Sequence, residues 1–365
     1  MDNKKVIMFM PSIEGGGVEK NFFIVSNFLI KRFKSVSVIT ISKKYKKKFH
    51  KSVDFISLKL NIWDKLGRRF KYFLAIFLLI KEICISKKPI VFSFQANIYC
   101  IIICKLLNTK IISRSNSAPH GWTKNFLKRF IFKLFLKSAD KVMVNSKQFK
   151  IDLEKEFNVK SICIYNPLNI NQIKRQANRK TKRIFNYNKK IKILNIGRFT
   201  EQKDQMTLLK SLNYLKNNID FEAVLVGKGT LKSKLQNFIN KNKLNNNVKL
   251  TNFVKNPYPF FKQADLFILS SKYEGLPNVL LEALVLKKFI ISSDCPTGPK
   301  EILMNGKGGL LFKTGDYLHL SRKIHYYLYN KKKCRKLLKL AINNLHRFDY
   351  HDNLEKYYEL IKSVD

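Results

Sequence analysis

The feature that most constrains the fold is an alternation of short apolar segments and helical patterns, which occurs in two successive blocks. Short apolar runs bounded by turn residues are typical of buried strands. Strands are predicted in the first block at residues 6–10, 35–41, 53–60, 90–95, 110–115, 141–146 and 161–165. In the second block they are predicted at residues 191–196, 221–226, 247–253, 265–270, 289–293 and 309–312. The alternation predicts an α/β protein with two doubly wound parallel sheets, whose ligands bind outside the carboxyl ends of the strands.

The segment between the two blocks is polar and basic, contains Pro167 and lacks a clear hydrophobic period. We interpret residues 167–190 as a linker with a surface insert. It separates an N-terminal domain, residues 1–166, from a C-terminal domain, residues 191–352, in which one long helix is predicted over 317–345. A chain of 365 residues is long enough for two such cores, and the ligand site is expected in a cleft between them.

Two carboxylates in the second block, Glu274 and Glu282, have seven residues between them, and this interval contains Gly275, Pro277 and Asn278. Gly275 and Pro277 interrupt regular structure, and Asn278 is predicted to cap the apolar helix that follows. The N-terminus of a helix suits a phosphate, because its free N–H groups carry partial positive charge. A carboxylate on each side suits the hydroxyls of two sugars. The stretch predicts a nucleotide-sugar site, and a loop with incidental glutamates before a core helix is the alternative.

A second motif begins where the strand at 191–196 ends, with Gly197 and Arg198 followed by Lys203. Together the two motifs resemble the retaining glycosyltransferases of family 4, which carry a G-R-(x)4-K element and an E-(x)7-E element. The resemblance covers most of residues 191–312, and the motifs stand in the right order about 70 residues apart.

The resemblance implies the GT-B fold, in which two Rossmann-like domains face a central cleft and the last helix, here 353–365, joins the N-terminal domain. It implies transfer of a hexose or N-acetylhexosamine from a nucleotide diphosphate sugar with retention of configuration. Residues 294–301 resemble members that use UDP-sugars. The implied acceptor is a lipid-linked, surface-polysaccharide or lipopolysaccharide oligosaccharide. A covalent glutamyl intermediate and a same-face attack both remain open as routes.

The chemistry of the transfer needs cations and N–H groups around the departing diphosphate. In the absence of a suitable D-x-D element, Arg198 and Lys203 are the expected countercharges, and no metal or other cofactor is expected. By resemblance, Glu274 contacts the transferred sugar and Glu282 the ribose, so Glu274, Arg198 and Lys203 form the predicted catalytic set. The predicted donor-binding set comprises Gly16, Gly17, Arg198, Lys203, Phe253, Val254, Gly275, Leu276, Pro277, Asn278 and Glu282. The resemblance also places Thr297, Gly298 and Pro299 in a loop beside the sugar.

Two N-terminal features bear on the same site. Residues 15–17 are consecutive glycines between a strand and a helical pattern, which allows close approach of the backbone to an anion, although a plain tight turn is equally consistent. The resemblance assigns this loop to the donor side of the cleft. Many members carry a histidine where the strand at 110–115 ends, but this chain has Arg114, Ser115 and Asn116 there. His120 follows a few residues later, and the acceptor-side catalytic group is therefore unassigned.

The formal charge of +46 far exceeds what a small-ligand enzyme needs and indicates a polyanionic surface as a partner. An AT-rich genome would explain the lysine and asparagine counts, but not the interleaving of basic and aromatic residues at 63–72 and 121–141. Such segments are typical of helices that lie on an anionic membrane, and surface helices with core-facing aromatics are the alternative. We find no signal peptide and no apolar run that spans a bilayer, so we expect a cytoplasmic protein that is peripheral on the inner face of the cytoplasmic membrane.

Two other classes of function are alternatives to a glycosyltransferase. A non-catalytic polyanion-binding protein would use the charge for nucleic acid, but no helix-turn-helix, zinc module or stacking signature is present, so no nucleic-acid partner is expected. A sugar-nucleotide epimerase on the same scaffold would release an isomerised sugar without an acceptor. The six cysteines include no C-x-x-C pair, which fits a reduced, cytosolic setting.

Overall fold

The computed structural model describes residues 2–60, 62–63, 67–116, 125–186 and 190–364. The chain divides into two compact units. The first unit contains Met1–Pro167 and Tyr350–Asp365, and the second contains Leu168–Asp349. The last segment of the chain therefore packs with the first unit.

The strands fall into two groups that are separated along the chain. The first group is β1 Asp2–Phe9, β2 Phe33–Ile39, β3 Asp54–Ile56, β4 Ile90–Ser93, β5 Lys110–Arg114, β6 Lys141–Val144 and β7 Ile162–Cys163. The second group is β8 Ile191–Ile196, β9 Phe221–Gly227, β10 Val248–Asn252, β11 Leu266–Leu269, β12 Phe289–Ser293 and β13 Leu310–Phe312.

Helices connect these strands. Those of the first block are α1 Gly17–Leu29, α2 Arg68–Ile85, α3 Asn97–Leu106, α4 Phe126–Ser138 and α5 Lys147–Phe157. They are followed by α6 Ile170–Ala177, α7 Gln205–Leu215, α8 Lys232–Lys241, α9 Tyr258–Gln263, α10 Asn278–Val285, α11 Gly298–Ile302, α12 Tyr317–Tyr329, α13 Lys331–Asn343 and α14 Tyr350–Lys362. Short 3-10 helices cover Lys43–Lys48, Met304–Gly306 and Asn344–Phe348.

Each group of strands forms one parallel sheet. The order is β3-β2-β1-β4-β5-β6-β7 in the first unit and β10-β9-β8-β11-β12-β13 in the second. In the second sheet Ile193 pairs with Ala223 of β9 and Leu266 of β11. The direction of strand order reverses between β1 and β4 and again between β8 and β11. Ligands of doubly wound folds bind at such reversal points, at the carboxyl ends of the strands.

Alternating side chains of β1 pack into two different hydrophobic cores, because successive residues of a strand point to opposite faces of the sheet. Val6 and Met8 belong to a cluster with residues of α1 and α14. Ile7 and Phe9 belong to a second cluster that is covered by α2, α3, α4 and α5. The sheet of the first unit is therefore buried on both faces, as parallel sheets usually are.

Two predictions about local structure are wrong. The single helix expected over 317–345 is divided into α12 and α13, because Asn330 lies between them with non-helical angles of φ −122° and ψ 39°. The segment expected to be a linker contains α6, whose buried Ile173 and Ala177 lie on the face that packs against α9 and α10. The hydrophobic pattern of the sequence did not reveal the break at Asn330 or the packing of α6 against α9 and α10.

In the described part of the chain, no helix is both long enough and apolar enough to cross a membrane.

Tyr357 of α14 is fully buried, and its ring centroid lies 6.0 Å from that of Phe92 on β4. We predict that Tyr357→Ala lowers the free energy of unfolding of the first unit by about 3–5 kcal/mol, since a large aromatic cavity is left behind. Both tryptophans, Trp63 and Trp122, lie within residues 1–167, so tryptophan fluorescence during urea unfolding reports this unit. Tyr329→Ala, at a residue 72% exposed in the second unit, should leave the midpoint unchanged. Equal midpoints for the two variants would contradict the packing role of α14.

Candidate active site

The site is built at the carboxyl edge of the second sheet, where β8 and β11 are neighbours. The chain leaves β8 through Gly197 and Arg198, and the Arg198 side chain is exposed. The amide of Gln205 donates to the Arg198 carbonyl at 3.1 Å, and the Ser270 hydroxyl donates to the Lys203 carbonyl at 3.0 Å. These contacts hold the loop after β8 against the end of β11.

Lys203 and Glu274 form an ion pair across this reversal point. Lys203 Nζ lies 2.5 Å from Glu274 Oε1, and the side chains are 17% and 7% exposed. Ser271 Oγ donates to the same Glu274 oxygen at 2.6 Å. Hydrogen bonds to an ionised group are short and strong, and exclusion of water strengthens them. The structure therefore brings together two of the three predicted catalytic residues, and it places Arg198 in the same loop as Lys203.

The main chain around Glu274 is held by the loop after β12. The Glu274 N–H donates to the Pro296 carbonyl at 2.5 Å, and the Thr297 hydroxyl donates to the Gly275 carbonyl at 3.2 Å. A Cβ atom added to Gly298 would lie 2.1 Å from the Gly275 carbonyl oxygen. This close approach explains the glycine at 298, because no other residue would fit without a shift of the backbone.

Helix α10 starts at Asn278, next to this loop, and most of its residues are buried. The prediction that Asn278 caps the helix is wrong: the N-cap is Pro277 in extended conformation, and no side chain caps the helix. Asn278 is the first helical residue instead. The N-terminus of a helix carries partial positive charge, so this end of α10 is suited to an anion. Leu276 and Pro277, which precede the helix, are buried.

Glu282 lies about one turn into α10 and is oriented by a tyrosine. The Tyr258 hydroxyl, at the start of α9, donates to Glu282 Oε1 at 3.0 Å, and both residues are buried. The tyrosine therefore fixes the orientation of the Glu282 carboxylate.

Phe253 and Val254 follow β10, which is separated from β8 by β9 in the sheet. The ring of Phe253 is 45% exposed, and Lys228 Nζ lies 5.2 Å from its centroid. Lys228 follows Gly227, where an added Cβ would lie 1.9 Å from the Gly197 carbonyl oxygen. The loops after β8 and β9 are thus packed backbone to backbone. An exposed aromatic face with a cation above it is suited to a planar ring.

Residues 176–343 match a family model described as "Glycosyl transferases group 1". An uncharacterized glycosyltransferase of Methanocaldococcus jannaschii is 32% identical over 281 residues, which cover 72% of this chain and 66% of that protein. A Campylobacter jejuni alpha-1,4-N-acetyl-D-galactosaminyltransferase is 25% identical over 378 residues, which cover 99% of each chain. The chain belongs to the group 1 glycosyl transferases.

The fold of this glycosyltransferase is shared with solved structures. The crystal structure of Anabaena HepE in complex with UDP and glucose covers 99% of this chain and 100% of its own, with a TM-score of 0.77 at 16% identity. The predicted fold class, a GT-B arrangement of two doubly wound parallel sheets, is confirmed. Assignment to family 4 within this group stays a prediction.

Gly16 and Gly17 lie in the first unit of the glycosyltransferase. Gly16 is the N-cap of α1, Gly17 is its first residue, and Gly15 has a positive φ of 90°. A Cβ added to Gly16 would lie 2.7 Å from Glu19 Oε2, so the glycine leaves room for that carboxylate. A role of these glycines in donor binding stays a prediction.

A buried arginine lies at the end of β5, where the family resemblance led us to look for a histidine. Arg114 is fully buried, donates from Nη2 to Asn166 Oδ1 at 2.8 Å and lies 4.5 Å from the Phe94 ring centroid. Burial lowers the pKa of the Arg114 guanidinium. Asn116 donates to the Phe94 carbonyl at 2.9 Å. These side chains tie the strand ends together, and His120 lies outside the described residues.

Cys295 lies beside the ion pair and is buried. Burial, and the nearby Glu274 carboxylate, raise the pKa of its thiol to about 12. The thiol is therefore neutral at physiological pH and a poor nucleophile. The described residues include no group of three or more His, Cys, Asp or Glu side chains that could hold a metal ion.

Sequence reasoning missed several contacts of the site. The glycines at 227 and 229 carried a readable signal, since they flank a lysine directly after a strand. Tyr258 and Ser271 carried no such signal, because their roles depend on neighbours that are distant in sequence or on side-chain direction.

We predict that Gly298→Ala destabilises the second unit by about 1–3 kcal/mol, because the added methyl forces the loop away from Gly275. Urea unfolding followed by far-UV circular dichroism measures the change. Gly67→Ala is the matched control, since a Cβ there meets no atom within 4 Å. A Gly298→Ala variant as stable as Gly67→Ala would show that the two loops are not in close contact.

Proposed function

We propose that this glycosyltransferase transfers a hexose or N-acetylhexosamine from a UDP-sugar to a lipid-linked or surface-polysaccharide oligosaccharide, with retention of configuration. The observation that carries the proposal is the buried Lys203–Glu274 pair at the reversal point of the second sheet, beside the N-terminus of α10. Cation, carboxylate and helix terminus meet there within one set of loops.

The site provides positive charge where the reaction generates negative charge. As the bond from the sugar to the diphosphate breaks, Arg198, Lys203 and the positive N-terminal end of the α10 dipole stabilise the departing phosphate oxygens. Hydrogen bonds to the Arg198 and Lys203 carbonyls hold the backbone that carries both side chains, which limits the reorganisation needed during the reaction. The proposed chemistry is complete without a metal ion, and we propose that none is required.

Glu274 and Glu282 hold the two sugars of the donor. Glu282, oriented by Tyr258, accepts from the ribose hydroxyls, and Glu274 accepts from hydroxyls of the transferred sugar. Both carboxylates are buried, and hydrogen bonds to a buried charge discriminate strongly between substrates.

The uracil base is proposed to stack on Phe253, with Lys228 on the same ring. Support for a uridine donor comes from the fold relative HepE, which was solved with UDP and glucose. Support for a lipid-linked acceptor comes from the Campylobacter relative, whose substrate is GalNAc-alpha-(1->4)-GalNAc-alpha-(1->3)-diNAcBac-PP-undecaprenol.

The activity is tested with a panel of labelled UDP-, GDP-, ADP- and dTDP-sugars in donor hydrolysis and transfer assays. We expect one UDP-sugar to be consumed and to raise the thermal midpoint selectively. Glu274→Ala and Arg198→Ala should each reduce turnover at least about 100-fold, since each removes a group that acts on the transition state. Chelators should have no effect.

Lys234→Ala is the control, because its exposed side chain forms an ion pair with Glu201 away from the Lys203–Glu274 contact. Full turnover in both active-site variants would reject the site. Release of an isomerised nucleotide sugar without acceptor would instead indicate an epimerase. Nuclear magnetic resonance of the product determines whether the anomeric configuration is retained.

We also propose that an anionic membrane surface is the partner of α2 and α4 in the first unit. Phe70, Phe73 and Phe77 recur at helical spacing on α2 and are 68%, 74% and 69% exposed. On α4, Phe126 and Phe130 are 84% and 55% exposed. Apolar side chains of this size are costly in water, and the sequence surrounds them with lysine and arginine.

The two helices belong to the same layer of the first unit. Helix α3 contacts both α2 and α4, and its own Tyr99 and Leu106 are exposed. Exposed basic residues, among them Arg69, Lys128 and Lys137, accompany the apolar side chains. Anionic lipid headgroups satisfy the charges, and the acyl boundary accepts the rings. Peripheral attachment at the cytoplasmic face would bring the enzyme to a lipid-linked acceptor.

We predict that the protein sediments with phosphatidylcholine vesicles that contain phosphatidylglycerol and not with pure phosphatidylcholine vesicles. The triple variant F70S/F73S/F77S should bind at least about tenfold more weakly, since three apolar side chains are lost from the interface. Added salt should weaken binding of the wild type, because the electrostatic part is screened.

The matched control is Y329S/L340S, which removes two exposed apolar side chains from the second unit. It should bind vesicles like the wild type. Unchanged sedimentation of the triple variant would contradict the assignment of this face. Displacement from vesicles by duplex DNA at equal charge concentration would point to a nucleic-acid partner instead.

A further inference from the structure

Ser271 is a fully buried serine whose hydroxyl contacts the carboxylate that we assign to the transferred sugar. It lies two residues after β11, and its Oγ donates to Glu274 Oε1 at 2.6 Å. We propose that Ser271 is a positioning residue, which holds Glu274 so that its Oε2 oxygen meets the sugar. This inference rests on the proposed function of the site and deepens it.

Two donors converge on one oxygen of the Glu274 carboxylate. Lys203 Nζ lies 2.5 Å and Ser271 Oγ 2.6 Å from Oε1. Among the described residues, no hydrogen bond to Oε2 is found. An ionised carboxylate accepts at both oxygens, so occupation of one of them leaves the other to bind a hydroxyl. The structure therefore distinguishes a supporting oxygen from a substrate-facing one.

A residue of the neighbouring strand β12 holds the main chain of Ser271. Its carbonyl accepts from Ser293 Oγ, on β12, at 2.6 Å. The main chain of Glu274 is fixed through its N–H to the Pro296 carbonyl at 2.5 Å. Both ends of the Ser271–Glu274 contact are thus attached to β12 and the loop that follows it. A carboxylate held in this way loses little further conformational entropy when substrate binds.

The lysine cannot perform this positioning alone. Lys203 is also the proposed countercharge of the departing diphosphate, and its position depends on a long flexible side chain. In the described part of the chain, the hydrogen bond found from the Ser271 hydroxyl is the one to Glu274 Oε1 at 2.6 Å. Loss of this hydroxyl should therefore affect the chemical step more than it affects binding of the nucleotide.

The test compares turnover with nucleotide binding in Ser271→Ala, using donor hydrolysis and calorimetric titration with UDP. We expect kcat to fall at least about 10-fold, because a small displacement of a reacting group is costly. The Kd of UDP should change less than about twofold, because the nucleotide contacts are intact. Ser271→Thr, which keeps the hydroxyl, should recover most of the rate. Ser271→Val, which has the shape of threonine without the hydroxyl, should not.

A matched control separates positioning from general stability. Ser292 is also fully buried, and its Oγ donates to the Ser293 carbonyl at 3.1 Å instead of to Glu274. Ser292→Ala should keep the wild-type kcat. In a Glu274→Gln background, Ser271→Ala should cause no further loss, since the residue acts through the carboxylate.

Two results would overturn the inference: an equal loss from Ser271→Ala in the wild-type and Glu274→Gln backgrounds, or equal rates for Ser271→Thr and Ser271→Val. Failure of the proposed function gives a different pattern, because Glu274→Ala would then leave donor turnover unchanged. The two ideas are therefore separable within one set of variants.

Discussion

The buried contact between Lys203 and Glu274 is the interaction on which the rest of the candidate site depends. It joins the loop after β8 to the loop after β11, at the point where strand order reverses in the second sheet. A buried charge is costly without a partner, so each residue requires the other. Doubly wound sheets have a crevice at the carboxyl ends of their strands where the strand order reverses. The pair can therefore face a ligand in this crevice and remain mostly shielded from water.

Close approach of backbones is the second requirement of the site. The loops after β8 and β9 pack through Gly227, where an added Cβ would lie 1.9 Å from the Gly197 carbonyl oxygen. The loops after β11 and β12 pack through Gly298 in the same manner. Side chains at these positions would separate the loops, and the distance between Lys203 and Glu274 would then no longer be fixed. The glycines therefore contribute to the candidate site by fixing the positions of the loops that carry Lys203 and Glu274.

The sequence was informative where the structure depends on spacing along the chain and uninformative where it depends on contacts between distant residues. Strand–helix alternation predicted both sheets, and the intervals around Arg198 and Glu274 predicted which loops carry charge. The contact of Tyr258 with Glu282 joins residues on different helices, and no periodicity reveals it. Helix α6 was missed for a related reason, since its few buried side chains are stabilised by neighbours from later in the chain.

The choice of lysine at 203 fits its ion pair with Glu274 together with the role that we propose for it at the departing diphosphate. An ammonium group has three N–H donors on one atom, and one of them is directed to Glu274 Oε1. The remaining donors are left for the phosphate that we propose as the second partner of Lys203, so binding of the diphosphate need not break the ion pair. A guanidinium would spread its donors over a rigid plane and would favour a bidentate contact with one carboxylate. A lysine, with Ser271 as a second donor to the same oxygen, can therefore support the carboxylate and the leaving group together.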